Sequence, residues 1–266
     1  MHRLGKNARL RVIEVADRVG GVHIGGIFSI IDFLLTFMEK YYIKSVEGKA
    51  RLKSKLPEFI MSKGHCYLAQ LAALDALLDD DVFCSKYLSE GSTYFGHPKR
   101  DEKSEIFLVS SGALGQGITM SNGIALANQI LQSDAKTWCV IGDGEFNEGS
   151  CQEAIAFISQ HQLNTTIVID NNKQESLDFT RNIASNGDIK QRIEAFSIQY
   201  FDVDGHNSAE MITILDEIDL SNGPVFLNLN TIKGKGVSFM EKNVIWHSRR
   251  FKDDEMPRAR SELMGD

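Results

Sequence analysis

Residues 137–145, Thr-Trp-Cys-Val-Ile-Gly-Asp-Gly-Glu, and residues 165–173, Thr-Thr-Ile-Val-Ile-Asp-Asn-Asn-Lys, are two β-rich runs that each stop on a cluster of side-chain oxygens. The first predicts a strand over 137–141 and the second a strand over 165–169, with helical spacing over 152–161 between them. The alternation continues outward as a helix over 189–196, a strand over 198–203, a helix over 212–218 and a strand over 225–229. This pattern predicts an α/β fold, a parallel sheet flanked by helices on both faces. Toward the N-terminus the chain reads as helical. Ala8, Val12, Ile13, Val15, Ala16 and Val19 recur at helical spacing before Gly20-Gly21. Ser29 with Asp32 reads as a capping box opening a helix through Tyr41, and a third helix is expected over 67–78.

At 266 residues, 42% hydrophobic and 24% charged, the chain can bury a sizeable core, and we read it as a single domain, 1–266. Disorder, collagen and a coiled-coil rod are excluded by that composition. A net charge of −7 supplies no basic field for nucleic acid or an anionic membrane. The longest apolar stretch, 24–38, is broken by Asp32 and is too short to span a bilayer. Residues 1–6 run into charged, helix-patterned sequence without an apolar signal core. Cys66, Cys84, Cys139 and Cys151 show no CxxC spacing, so neither a zinc knuckle nor a disulfide framework is indicated. The expected location is the cytoplasm.

In parallel sheets ligands bind beyond the carboxyl ends of the strands, where Gly142-Asp143-Gly144-Glu145 and Asp170-Asn171-Asn172-Lys173 fall. Glycines beside Asp143 let the backbone turn sharply and approach a ligand closely. Asp and Asn oxygens suit Mg²⁺ or Ca²⁺, and Mg²⁺ recruits phosphate oxygens to complete its shell. This reading is a metal-bridged diphosphate site. Asp-Gly and Asn-Asn are also ordinary turn dipeptides, and on these segments alone the two readings stand level.

Asn172 lies 29 residues (172 − 143) beyond Asp143, across a helix and a strand. That arrangement resembles the thiamine diphosphate motif, GDG followed at a distance by Asn, and the surrounding blocks resemble the transketolase family. They are Ser62-Lys63-Gly64-His65, Gly96-His97-Pro98, Ser111-Gly112-Ala113-Leu114-Gly115-Gln116-Gly117, the run from Gly142 to Gly149, Asp204-Gly205-His206, and the run from Lys233 to Glu241 followed by Trp246-His247. The blocks keep the family order over nearly the whole chain. The resemblance implies thiamine diphosphate with Mg²⁺ or Ca²⁺ as cofactors. It places metal ligands at Asp143, Asn172 and the backbone carbonyl of Gln174. Cofactor contacts are implied at His65, Gly112, Leu114, Gly142, Asp143, Gly144, Glu148, Asn172, Lys233 and His247. Catalytic positions are implied at His23, His65, His97 and His247, since imidazoles can shuttle protons near neutral pH. Ile24 stands where the family carries proline, which removes a φ restraint beside His23. Glu148 and Glu153 match a carboxylate network that joins paired cofactors across a subunit interface, although such acids also read as a solvated helix face. His2, His161 and His206 read as structural.

In this family the glutamate that activates the aminopyrimidine lies on a second domain, C-terminal to the matched region. The present sequence ends soon after Trp246-His247, which suggests the diphosphate-binding half of a split transketolase. Such a subunit is expected to work only with a C-terminal partner that carries the pyrimidine-binding domain and the activating Glu, as an α2β2 heterotetramer. The expected reaction moves a two-carbon ketol unit from a ketose or ketose phosphate to an aldehyde. The α chain of a 2-oxo acid dehydrogenase or another ketol synthase, and a non-catalytic assembly subunit, are the rival readings. SKGH, GHP and KGKG…WH speak against the dehydrogenase, and retention of Asp143, Asn172, Lys233 and His247 against the assembly role. A dinucleotide-binding domain is a poor third, since no GxGxxG opens a helix.

Overall fold

A computed structural model describes residues 3–100 and 106–265. Helix α1 (Arg3–Val19) buries Ala8, Val12, Ile13, Val15 and Ala16 along one stripe. It stops where Gly20 takes φ +80°, a conformation that glycine adopts without steric cost. Helix α2 (Ile24–Tyr41) begins five residues before Ser29 (29 − 24), so the expected capping box is not its start. Ser29 is fully buried inside the helix, where its hydroxyl contacts the Gly26 carbonyl at 2.9 Å and Asp170 Oδ2 at 2.6 Å. A side chain tied to the sheet in this way cannot cap a helix end. Strands β1 (Ile43–Val46) and β2 (Lys49–Leu52) form an exposed antiparallel hairpin whose polar alternation gave no strand signal.

The remaining elements build one layer upon another. They are β3 (Glu58–Met61), α3 (Leu68–Leu78), α4 (Gln116–Ile130), β4 (Thr137–Gly142), α5 (Gly149–His161), β5 (Thr165–Asn171), the one-turn α6 (Thr180–Ile183), α7 (Ile189–Glu194), β6 (Gln199–Asp204), α8 (Ser208–Asp219), β7 (Val225–Asn230) and α9 (Glu255–Met264). The central sheet is five-stranded in the order β3-β4-β5-β7-β6, and every pairing in it is parallel.

Strand alternation divides the core between the two faces of this sheet. Trp138, Val140, Val168, Val203 and Leu227 pack with α1, α2, α3 and α8. Cys139, Ile141, Ile167, Ile169 and Phe226 pack with α4, α5 and α7. All seven residues of β5 are buried, as a central parallel strand covered on both faces requires. Truncating a fully buried aromatic such as Trp138 to Ala would cost about 3–5 kcal/mol. All four cysteines are buried and free. Among the described residues, no helix is long and apolar enough to cross a membrane.

The register sets up the site. Gly142 pairs with Asp170, and Asn171 with Asn230, so β4, β5 and β7 end level with one another. Met61 pairs with Val140 and brings Ser62-Lys63 to the same edge.

Candidate functional site

A cavity of about 340 Å³ opens at this carboxyl edge. Its wall collects His23, His65, His97, Leu114, Gly142, Asp143, Gly144, Glu148, Asn172, Gln174, Lys233 and His247, all read from the sequence. Gly112 is not in the wall. It takes φ +153°, and a Cβ there would come within 3.0 Å of His97 Cδ2, so it packs behind the His97 ring. Glu153 lies on the exposed face of α5, away from the cavity. His2 is outside the described residues, and His161 packs on Phe157 at 4.3 Å.

At the cavity wall lies a buried ion pair that sequence reading did not assign. Lys63 follows β3 and reaches Asp170 near the end of β5, with side chains 3% and 0% exposed. Burial alone would push the Asp170 carboxyl up and the Lys63 amine down. Their mutual attraction wins, so the acid is held below its ordinary range and the amine above it. Asp170 also takes hydrogen bonds from Ser29 at 2.6 Å and from Thr231. Glu145 is likewise buried and gathers three loops. Its carboxylate accepts from the Gly115 amide at 2.8 Å, the Gly142 amide at 3.1 Å and the Ser62 hydroxyl.

Asp143 is buried, and burial together with the Asp170 charge pushes its carboxyl up to about 6. Its Oδ1 accepts from the Gly144 amide at 2.9 Å, while Oδ2 is met by Thr180 at 3.4 Å. Asn186 holds the Asp143 carbonyl at 2.9 Å. Gly144 has φ −67°, so the sharp turn expected of the flanking glycine is not what requires it. Space does: a Cβ on Gly144 would stand 2.9 Å from Glu175 Cγ.

Lys233 follows β7 and stretches its ammonium into the cavity, 3.4 Å from the Gln174 carbonyl, 2.7 Å from the Glu175 carbonyl and 3.1 Å from His247 Nδ1. Burial, aided by the Lys63 charge and opposed by Asp143, lowers it to about 8. Beside it cluster three imidazoles: the His23–His65, His23–His247 and His65–His247 centroids are 5.0, 5.3 and 5.7 Å apart. Burial and then the neighbouring lysine push His65 down to about 2 and His247 to about 3. His23 is lowered by burial and by His97. These rings are neutral at pH 7 and can each donate and accept a proton. Ile24, the first residue of α2, uses an amide that proline would lack, donating to the Val22 carbonyl at 2.8 Å. Val22 is itself bridged to Arg249, so the His23 loop is fixed without the proline.

The residues present fit an anion bound through a cation. Asp143 and Asn172 oxygens end adjacent strands, and Lys233 supplies a cation whose lowered amine an anion would re-stabilise. The Gln174 side-chain amide and Glu175 Oε1, in the same wall, are buried polar groups without a partner among the described residues, as expected where a ligand completes the set.

The family model for the transketolase thiamine diphosphate-binding domain matches residues 3–265. Over 246 residues the chain is 32% identical to a subunit of apulose-4-phosphate transketolase from Phocaeicola vulgatus, covering 90% of this chain and 85% of that protein. It is 27% identical to a 6-deoxy-6-sulfo-D-fructose transketolase subunit of a Clostridium species, covering 96% and 93%. Human transketolase is 30% identical over 72% of this chain but only 30% of its own length. The crystal structure of Campylobacter jejuni transketolase superposes with a TM-score of 0.81 at 21% identity, a likeness of fold. The match covers 99% of this chain and 43% of that one, so the present chain spans less than half of that solved enzyme.

Proposed function

The chain belongs to the transketolase family through its thiamine diphosphate-binding domain, and we propose that it is the diphosphate-binding subunit of a two-component transketolase. It forms a single unit, 1–266, that transfers a two-carbon ketol group from a ketose or ketose phosphate to an aldehyde. The observation that carries this reading is the meeting, in one cavity, of Asp143, Asn172 and Lys233 with the neutral rings of His23, His65 and His247. Relatives of similar length that are themselves transketolase subunits support the two-component form.

In this reading Asp143, Asn172 and the Gln174 carbonyl hold Mg²⁺ or Ca²⁺, and Lys233 meets the diphosphate with a charge-assisted hydrogen bond. Gly142 and Gly144 keep the strand-end turn free of side chains, Leu114 gives an apolar wall, and Gly112 seats His97. When bound, thiamine diphosphate supplies the nucleophilic carbon that allows the ketose C–C bond to break. His65, His97, His23 and His247 face the sugar and take or return protons at its hydroxyl oxygens.

Four exposed apolar side chains lie in the cavity wall or close to it in sequence. Phe95 (42%), Leu114 (42%), Leu177 (84%) and Ile245 (64%) each belong to the wall or lie within two residues of a wall position. Exposed apolar groups so placed suit a docking face for the partner that brings the pyrimidine-binding domain and its activating Glu. Exposed Glu148 and Glu153 fit contact with a second copy in an α2β2 complex, acting in the cytoplasm. The test is calorimetry of the partnered protein. Asp143→Ala should abolish Mg²⁺-dependent thiamine diphosphate binding, and unchanged affinity in that variant would sink the assignment.

A further inference from the structure

His206, read from the sequence as a structural histidine, stands at the end of a part-buried relay that runs from Arg9 of α1 to the residue before Lys233. Arg9 is fully buried and grips Asp32 with its two terminal guanidinium nitrogens, at 2.9 and 2.8 Å. The same guanidinium donates to the carbonyls of Gly5 and Phe28, which fixes its plane on α1 and α2. Asp32 Oδ2 meets His206 Nδ1 at 2.7 Å. On the far side of the ring, the Ile232 amide donates to His206 Nε2 at 2.9 Å. Because Nε2 accepts, it carries no proton, and Nδ1 is the nitrogen that donates to Asp32. The carboxylate thus selects the tautomer that leaves an acceptor facing Ile232.

We propose that His206 is a positioning residue for the diphosphate-binding lysine, holding the Ile232 amide so that the Lys233 side chain leaves the backbone at a fixed point. The backbone either side is pinned by other means: the Thr231 amide donates to the Asn171 carbonyl at 3.3 Å while its hydroxyl donates to Asp170, and the Gly234 amide donates to the Gly25 carbonyl at 3.0 Å. Between those pins the Ile232 and Lys233 carbonyls accept from the Lys235 and Lys242 amides at 3.2 and 3.0 Å, and the Ile232 amide is held by His206, whose ring is itself oriented from α1 and α2. The inference rests on the proposed role of Lys233 toward diphosphate; the anchoring of Ile232 does not.

Three variants separate the two faces of the ring. His206→Gln can present its amide oxygen where Nε2 stands, His206→Asn can keep only the donor toward Asp32, and His206→Phe keeps ring volume alone. The first readout is hydrogen exchange of the Ile232 amide in the cofactor-free protein. It should speed by about tenfold or more in the Asn and Phe variants and stay near wild type in the Gln variant, the worth of one hydrogen bond. The second is thiamine diphosphate affinity of the partnered protein, which should weaken about tenfold in Asn and Phe and be rescued in Gln. That loss should appear in affinity and not in turnover at saturating cofactor. Wild-type exchange in His206→Asn would overturn the anchoring, and equal losses in all three variants would mean a purely structural ring. A wild-type complex that fails to bind thiamine diphosphate would overturn the proposed function and the diphosphate role of this relay with it, while the exchange data would still report the anchor.

Discussion

Replacing Lys63 by Met removes the cation from the centre of the site while nearly conserving its volume. Asp170 would then keep its hydrogen bonds from Ser29 and Thr231 but remain a fully buried carboxylate without its counter-charge. Breaking a buried pair on one side costs about 3–5 kcal/mol. The second substitution, Asp170→Asn, removes the stranded charge, so the double variant should recover all but about 1–2 kcal/mol. The pH dependence carries a sign. In the wild type Asp170 lies below its ordinary value of 3.8, so its contribution is present above that pH and is lost as pH falls through the depressed folded value. Lys63, raised above 10.5, contributes fully below that pH and loses its contribution as pH rises through the folded value. In Lys63→Met the Asp170 carboxyl is raised by burial instead, so acidification from pH 7 toward 4 should stabilise the variant relative to the wild type. Urea denaturation followed by circular dichroism across that range measures both effects. A single variant within about 1 kcal/mol of wild type, or a double variant no better than the single, would refute the reasoning.

Binding and chemistry should separate among the other wall residues. Lys233→Ala should mainly weaken cofactor affinity, whereas His65→Ala and His97→Ala should bind cofactor and lose turnover, about 10²–10⁴-fold for an acid–base group; a His97 variant with wild-type turnover at saturating cofactor and substrate would remove its role. Gly144→Ala should destabilise the fold by about 1–3 kcal/mol, because the new methyl would stand 2.9 Å from Glu175 Cγ. Adding Glu175→Ala should relieve that cost in thermal denaturation, and no relief would mean that the close approach is not what demands glycine.

The strands that lead into Asp143 and Asn172 were legible because central parallel strands are continuous apolar runs ending in polar turns. β4 and β5 are found within two residues of their expected ends. α4 left no such trace. Its inward face is made of Gly117, Ser121 and Ala125 beside Ile118, small residues that pack closely without a hydrophobic period. β3 is four residues long and is recognised only by its pairing with β4. The site residues were visible as strand-end motifs, yet the Lys63–Asp170 pair joins positions 107 apart and has no local signal. Glu145 stood in plain view within the GDGE block, but its grip on Ser62 and Gly115 depends on three loops meeting in space. Ser29 misled for the same reason: a hydroxyl that ties α2 to Asp170 reads locally as a cap.

In the proposed function this chain supplies one grip on thiamine diphosphate and needs a partner for the other. Ketol transfer from a ketose phosphate to an aldehyde, assayed with added thiamine diphosphate and Mg²⁺, tests that division of labour. The rigorously purified chain is assayed alone, and then with a co-expressed subunit of pyrimidine-domain type. The chain alone should give no turnover, and the pair should turn over. Appreciable turnover by the single chain would contradict the proposal, because the activating acid would then lie within these 266 residues.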